Sequence, residues 1–476
     1  MILSELLKEI GRESGFGDPE IVSVTDRTED VIPGSLFVAV EGRRSDGRQK
    51  AAEALARGAA AVVTGRPAGA GREIVVNDPR KAFSQLCAAF FGHPDRELEL
   101  IGVTGTNGKT STALYLQTVL NRTGRRCGVI GTLGYGVDAL TDCGYTTPQS
   151  DTFFRSLREM ADGGCRYCVA EVSSQALSQA RADAARFSLG VLTNVGTDHL
   201  DYHGKMSEYV AAKSKLFRLC GRALLNADDA YAEQIASLAG LTSYAAYSAK
   251  GCYADYMVRE RKETPEGVGF TVVCRGDAAR ISLPSVCGFT EYNVLAAVAA
   301  ANLCGVGLQE AADALRELPP IKGRMQRIEA SGIAAYVDFA HTPEALYGVL
   351  KDLRRFTKGR LITVFGCGGD RDKGKRPAMG RIASALSDTV VVTSDNPRTE
   401  DPAAIIADVL AGVPEKSCVF AQPDREKAIT LAVNQASPGD TILIAGKGHE
   451  EYQIFSDRTE PFSDEAVVKK LLGAES

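Results

Sequence analysis

The segment Gly102-Val-Thr-Gly-Thr-Asn-Gly-Lys-Thr110 carries the chemistry most easily read in this 476-residue chain. Gly105 and Gly108 let backbone N–H groups approach phosphate oxygens, and the start of a helix adds partial positive charge. Lys109 has the reach for β and γ phosphates, and the Thr110 hydroxyl can bind Mg²⁺. The spacing departs from a strict P-loop, because Val103 stands where the first glycine belongs and Gly102 sits one place early. A nucleotide loop of this kind serves an ATPase, a kinase or a ligase equally well.

A second set of candidates consists of acids and imidazoles. Glu171 ends an apolar run, where a buried carboxylate is costly unless it is paired or bound to metal. The loop TNVGTDHLDYHG, residues 193–204, gathers Asp198, His199, Asp201 and His203. Oxygen donors with one imidazole suit Mg²⁺ or Mn²⁺ better than zinc. Lys213 lies in YVAAKSKLF, on a helix expected to begin near Ser207. Of the 12 cysteines only Cys165 and Cys168 form a CxxC pair, with no second pair at zinc spacing, so they read as structural free thiols.

These residues are held by alternating apolar runs and helical stretches. A strand should end at Val103 and be followed by a helix over 109–122. Apolar runs at 127–131, 167–172 and 189–193, then at 334–337, 361–365, 389–393 and 441–445, each lead into polar motifs. Such a grammar implies parallel sheets covered by helices, with ligands bound outside the carboxyl ends of the strands. Gly92 and Pro94 in residues 90–100 mark one boundary, and Pro319, Pro320 and Gly323 in 317–327 mark another, after a helical pattern over 308–318. The length suits about three domains. The expected division is 1–97, 98–323 and 324–476.

The formal net charge of -5 argues against a nucleic-acid partner and requires anionic ligands to be met by local cations. Leu3, Leu6, Leu7 and Ile10 follow helical spacing and do not make a signal peptide. No apolar run reaches membrane-spanning length. A cytoplasmic protein is expected.

Read together, TGTNGKT, EVSS, TDHLDYHG, AAKSKLF, GRM, DFAHTPEAL, FGCGGDRDKGKRP, DNPR and AGKGHE resemble the Mur ligases, in this order and over residues 24 to 464. The later motifs resemble the diaminopimelate-adding members. The resemblance implies an α/β fold of three domains: one that binds UDP, a central P-loop ATPase domain with a parallel sheet, and a C-terminal Rossmann-like domain. It implies peptidoglycan synthesis, with ATP as co-substrate, Mg²⁺ as cofactor, and UDP-N-acetylmuramoyl-dipeptide and meso-diaminopimelate as the other partners. A monomer is expected.

By the same resemblance, Gly105, Thr106, Asn107, Gly108, Lys109, Thr110 and Ser111 would serve ATP, with Asn293, Arg324, Asp338 and His341 on its adenosine side. Thr110, Glu171 and His199 would hold Mg²⁺, and Lys213 would be carbamylated. Thr146, Thr147, Ser173, Gln179 and Arg181 would hold the UDP-sugar-peptide. Arg371, Asp395, Asn396, Pro397, Arg398, Gly446 and Glu450 would hold diaminopimelate. The catalytic set would be Lys109, Glu171, His199 and Lys213. Five positions depart from the family pattern: Thr28 and Glu29 in TDRTEDVIPG, Gln175, Thr290 and Glu465. A folylpolyglutamate synthase, a lysine-adding relative and a P-loop ATPase without ligase activity are the rival readings. DNPR and GDRDKGKR weigh against the first two.

Overall fold

Runs of buried apolar residues, each closed by polar ones, become strands that lie side by side in three successive main sheets. The computed structural model describes residues 1–476 except 43–45, 265–266, 284–287, 319, 416 and 475–476. Pro319, part of the second boundary signal, therefore lies outside the described residues.

The first sheet is parallel and in chain order: β1 (Ser23–Thr25), β2 (Ser35–Val38), β3 (Ala61–Thr64) and β4 (Glu73–Val75). The helix Leu3–Lys8 buries Leu3, Leu6 and Leu7 in the core of this unit, as their spacing requires.

The second sheet has eleven strands: β5 (Glu99–Thr104), β6 (Cys127–Gly131), β7 (Gly134–Gly136), β8 (Leu140–Thr141), β9 (Tyr167–Glu171), β10 (Leu189–Leu192), β11 (Ala223–Asn226), β12 (Ala245–Ser248), β13 (Tyr256–Thr264), β14 (Gly267–Cys274) and β15 (Asp277–Leu283). Their order is β15-β14-β13-β12-β11-β10-β5-β9-β6-β7-β8. The stretch from β13 to β6 is parallel, and antiparallel strands finish both edges. Val103 pairs with Glu171 on one side and Val191 on the other, so the loops after β5, β9 and β10 emerge together. That register is why the phosphate loop, Glu171 and the 193–204 loop meet. The helix Lys109–Arg122 packs on Gly288–Leu303, whose residues 294–301 are fully buried. The 308–318 pattern yields helix only over Leu308–Ala314. Cys165 and Cys168 are buried free thiols, and burial pushes the Cys168 thiol well up.

The third main sheet contains β16 (Gln326–Ala330), β17 (Ile333–Asp338), β18 (Leu361–Phe365), β19 (Thr389–Val392), β20 (Val419–Ala421) and β21 (Thr441–Ala445), in the order β16-β17-β21-β18-β19-β20. All neighbours are parallel except β16 and β17. Ala445 pairs with both Asp338 and Phe365, and Phe365 with Val392, which brings DFAHTPEAL, GKGHE, GCGGDRDK and SDNPR to one end of the sheet.

Candidate active site

The phosphate loop turns from β5 into the helix Lys109–Arg122 through Gly108, whose φ of +84° favours glycine. A Cβ there would also lie 2.3 Å from Asn293 Oδ1. No side chain caps this helix, so its first N–H groups face outward for an anion. Lys109 Nζ donates to the carbonyls of Gly105 and Thr106, each at 2.9 Å. Thr110 donates to Glu171 Oε2 at 2.9 Å. Glu171 also accepts from the Thr132 N–H at 2.8 Å and the Thr132 hydroxyl at 3.2 Å. Those three donors explain how a carboxylate only 1% exposed is tolerated at a strand end.

The 193–204 loop is tied to the phosphate loop. Asn194 Oδ1 accepts from the Asn107 N–H at 3.0 Å, and the Thr193 hydroxyl donates to the Asn107 carbonyl at 2.7 Å. Asp198, His199 and Asp201 reach the cleft beside Lys109. His199 Nε2 lies 3.4 Å from Asp198 Oδ2. Burial raises the Asp198 carboxyl, but His199, His341 and Lys375 outweigh this and hold it below its ordinary value. His203 is the member of this group that turns away. Its ring is buried, with Nε2 3.0 Å from Ser174 Oγ.

Lys213 lies on the helix Met206–Arg218 and is 1% exposed. Its ammonium sits 4.2 Å from the centre of the Tyr209 ring, with no hydrogen-bonding partner among the described residues. Burial, reinforced by Lys109, pushes its pKa well below the ordinary lysine value. Tyr209 in turn hydrogen-bonds Thr106 at 2.9 Å, linking this helix to the phosphate loop.

Among the described residues, no group of three His, Cys, Asp or Glu side chains forms a closed metal cage. The donors present are a hydroxyl, a carboxylate and an imidazole beside a phosphate loop, from Thr110, Glu171 and His199. That set fits Mg²⁺, which keeps several waters and shares ligands with phosphate oxygens.

The residues expected to hold the UDP-sugar-peptide form one hydrogen-bonded chain next to Glu171. Thr147 donates to the Glu171 carbonyl at 2.8 Å and accepts from the Ser173 N–H at 3.0 Å. Arg181 Nη1 donates to the Thr147 carbonyl at 2.6 Å, and Nη2 donates to Gln179 Oε1 at 2.9 Å. Thr146 reaches the cleft wall itself, 3.1 Å from the Thr132 hydroxyl. Of the departing positions, Thr28 is buried and Glu29 exposed, Gln175 lies in the short helix Ser174–Ser178, Thr290 lines a cavity near Asn293, and Glu465 pairs with Lys469 at 2.8 Å.

Opposite stand the loops of the third sheet. Arg324 stacks over the Phe339 ring at 4.6 Å and reaches Thr110 Oγ1. Its buried Nε has no partner among the described residues, a donor suited to an oxyanion. Asp338 accepts from the Met325 and Ala340 N–H groups at 2.7 and 2.8 Å, which fixes the loop it begins. Asn293, Arg324 and Asp338 line a cavity of about 830 Å³ beside the phosphate loop, of a size for a nucleoside. His341, expected on that same side, instead lines the central cleft of about 270 Å³, because Lys375 donates to its carbonyl and its Nδ1 lies 2.7 Å from the Phe339 carbonyl. Burial pushes its imidazole down to about 4, so it is neutral at pH 7.

Arg371, Asp395, Arg398, Gly446 and Glu450 share the central cleft with Lys109 and Glu171. Gly446 has φ +114°, and a Cβ there would come within 2.6 Å of Asp395 Oδ2. Pro397 is buried and shapes the loop from behind. Asn396 also borders the cleft but is only 1% exposed, and its amide is already used: Nδ2 donates to Glu450 at 2.8 Å, and Oδ1 accepts from Lys447 at 3.0 Å and from the Ile454 N–H at 3.1 Å. Lys447 and Lys375 escape a reading of the sequence, since a lysine in a Gly-rich loop normally looks solvated. Arg425 and Asp464, both fully buried, brace the site from below, with Arg425 donating to the carbonyls of Ser394 and Ala445.

Two family models match the chain: Mur ligase middle domain over residues 103–301, and Mur ligase, glutamate ligase domain, over 323–448. The UDP-N-acetylmuramoyl-L-alanyl-D-glutamate–2,6-diaminopimelate ligase of Thermosynechococcus vestitus is 40% identical over 487 residues, covering 99% of this chain and 98% of that protein. The enzyme of the same name from Aquifex aeolicus is 39% identical over 459 residues, covering 96% and 94%. A solved structure of a UDP-N-acetylmuramoyl-L-alanyl-D-glutamate–2,6-diaminopimelate ligase has a TM-score of 0.72 at 33% identity, covering 100% of this chain and 99% of that one. MurF from Acinetobacter baumannii shares the fold, with a TM-score of 0.68 at 19% identity and 98% of each chain covered.

Proposed function

The chain belongs to the Mur ligase family, and from that premise we propose that it joins meso-2,6-diaminopimelate to UDP-N-acetylmuramoyl-L-alanyl-D-glutamate, with ATP as co-substrate, in peptidoglycan synthesis. The reading rests above all on the shared cleft. Lys109, Thr110 and Glu171 from the second sheet face Arg371, Arg398 and Glu450 from the third across one space. A phosphate site and an amino-acid site that face each other are what amide ligation through an activated acid requires.

A carboxylate resists attack by an amine because its leaving group is poor. In the first step a carboxylate oxygen of the dipeptide attacks the γ-phosphorus, the bridging P–O bond breaks, and ADP leaves. The amine then attacks the acyl carbon, and the tetrahedral intermediate expels inorganic phosphate while the nitrogen loses its proton. Anionic oxygens crowd together in both steps. Lys109, the helix N–H groups and Arg324 would offset that charge. Mg²⁺, held by Thr110, Glu171 and His199, would supply further neutralisation when bound. Thr146, Thr147, Ser173, Gln179 and Arg181 would place the UDP-sugar-peptide. Arg371, Asp395, Pro397, Arg398, Gly446 and Glu450 would place the amino acid, with Asn396 acting through its backbone and its neighbours.

Lys213 would carry CO₂ as a carbamate. Its buried ammonium lies near a second cation, Lys109, with an aromatic face as its contact. Loss of a proton and attack on CO₂ replace that repulsion with attraction. The reading places the unit borders at 97/98 and 323/324 and takes the enzyme to act in the cytoplasm as a monomer. Among the described residues, no helix is long and apolar enough to cross a membrane.

The test is ADP release by the purified chain with every combination of UDP-dipeptide, diaminopimelate and lysine. Turnover that requires both the dipeptide and diaminopimelate supports the reading. ADP release without an amino acid would leave an ATPase, and equal use of lysine would overturn the substrate assignment.

A further inference from the structure

Lys447 is fully buried, yet it follows β21 in a loop that borders the cleft. Burying an ammonium is costly unless it is paired and hydrogen-bonded. Its partners here are two residues of the amino-acid site. Nζ donates to Asn396 Oδ1 at 3.0 Å and to Glu450 Oε2 at 3.0 Å. Asn396 Nδ2 closes the ring by donating to the same Glu450 Oε2 at 2.8 Å. With Oε2 taking two donors, the Glu450 oxygen without a partner among the described residues is Oε1, on a side chain that lines the cleft. Asn396 holds the opposing group as well, since its carbonyl accepts from Arg398 Nη1 at 3.3 Å. The acceptor and the guanidinium that face the ligand therefore hang from one asparagine, and Lys447 is the buried cation that completes the ring.

We propose that Lys447 is a positioning residue that makes the site stereoselective at the distal carbon of the amino acid, an inference that rests on the diaminopimelate reading above. That carbon bears an ammonium and a carboxylate. In one configuration the ammonium meets Glu450 Oε1 while the carboxylate meets Arg398. Inverting the centre exchanges the two, setting carboxylate against carboxylate and ammonium against guanidinium. This discrimination requires Glu450 and Arg398 to keep a fixed relation. Without Lys447, Glu450 loses one of its two anchors and Asn396 loses one of the two donors on its oxygen, keeping only the Ile454 N–H, so either carboxylate oxygen can turn to either ligand group.

The experiment compares wild type, Lys447→Met, Glu450→Gln and the double variant in steady-state kinetics with meso- and LL-diaminopimelate, with melting temperature as the check on folding. Truncating one partner of a buried charge pair predicts a KM for meso-diaminopimelate raised at least about 30-fold in Lys447→Met. The KM values for ATP and UDP-dipeptide should stay within about threefold, and the meso-to-LL preference in kcat/KM should fall at least tenfold. In the Glu450→Gln background, which leaves no carboxylate unpaired, the same lysine substitution should add little. An unchanged KM and preference in folded Lys447→Met, a uniform loss over all three substrates, or additive effects in the double variant would each overturn the proposal. Should Lys447→Met not fold, the comparison of Glu450→Gln with the double variant decides alone. Failure of wild type to use diaminopimelate would instead overturn the underlying function.

Discussion

Arg324 donates from Nη2 to the hydroxyl of Thr110 across 3.3 Å, joining the segment before the third sheet to the first turn of the phosphate-loop helix. The same hydroxyl donates to Glu171, so one oxygen links a cation from one unit to a carboxylate from another. Stacking over Phe339 fixes the plane of the guanidinium, and among the described residues its Nε has no acceptor. On the proposed function, Arg324 would meet phosphate charge from this position beside Thr110.

Arg324→Met keeps the stacking volume and removes the charge. Losing one preorganised donor to a developing oxyanion typically costs on the order of 10²–10³ in rate. We expect kcat to fall by that amount, with the melting temperature nearly unchanged. Near-normal turnover in the folded variant would mean that the guanidinium is only a structural strut.

Lys213 predicts a dependence on dissolved CO₂. Only the neutral amine attacks CO₂, and burial beside Lys109 lowers the lysine pKa and so favours that form. Falling pH protonates the amine and favours release. Enzyme stripped of CO₂ should therefore lose activity and regain it with bicarbonate, more completely at pH 8 than at pH 6.5. A carbamate resonance in ¹³C NMR after labelled bicarbonate should track the recovery. Full activity without CO₂, or no carbamate in active enzyme, would sink the assignment.

Asp26 gives a stability prediction. Its Oδ1 is buried without a partner among the described residues, and burial, with Asp151 nearby, pushes its carboxyl up to about 6. Below pH 4 both folded and unfolded chains hold the proton. Between about 4 and 6 the unfolded chain ionises first, so stability falls as pH rises. Above 6 the penalty is constant, at most about 3 kcal/mol. Asp26→Asn should match wild type at pH 4 and be more stable at pH 7.5, as chemical denaturation at the two pH values would reveal. An equal difference at both values would assign the effect to packing.

How far the sequence carried this reading depends on what each residue needs. Strands such as Leu361–Phe365 and Thr441–Ala445 are buried on both faces, so their apolar runs announce them. Lys109 and Thr110 are legible because their neighbours in the chain are also their neighbours in space. Strand β14 alternates buried and half-buried residues and β15 buried and exposed ones, so both leave only a weak apolar signal. The inward turn of His203, the engaged amide of Asn396 and the buried ammonium of Lys447 depend on which loops the strand order brings together. Nothing local in TDHLDYHG distinguishes a histidine that faces the cleft from one that faces Ser174.

Arg398 carries the prediction on substrate choice. It holds φ +55°, a left-handed conformation that is costly for a residue with a side chain. Its own N–H donates to the Ile454 carbonyl at 3.0 Å, and its Nη1 donates to the Gly369 carbonyl at 2.9 Å, which maintain that conformation. Burial and the adjacent Arg371 lower its pKa, but a guanidinium starts so high that it stays charged. The remaining N–H groups can grip the distal carboxylate that diaminopimelate has and lysine lacks. Lysine would leave the guanidinium unpaired and bring another cation toward it, and a site built for a polar group rejects the analogue lacking it by about 10⁴–10⁵. Arg398→Ala should lose most activity with diaminopimelate and change little with lysine, narrowing the preference from one side. Arg398→Lys should not restore it, because an ammonium cannot reproduce the two-pronged contact. Arg398→Gly separates strain from recognition. It relieves the left-handed backbone and should be more stable than Arg398→Ala by about 1 kcal/mol, while being equally poor with diaminopimelate. A preference ratio left unchanged by Arg398→Ala would move the choice of amino acid to another residue, with Arg371 the first to examine.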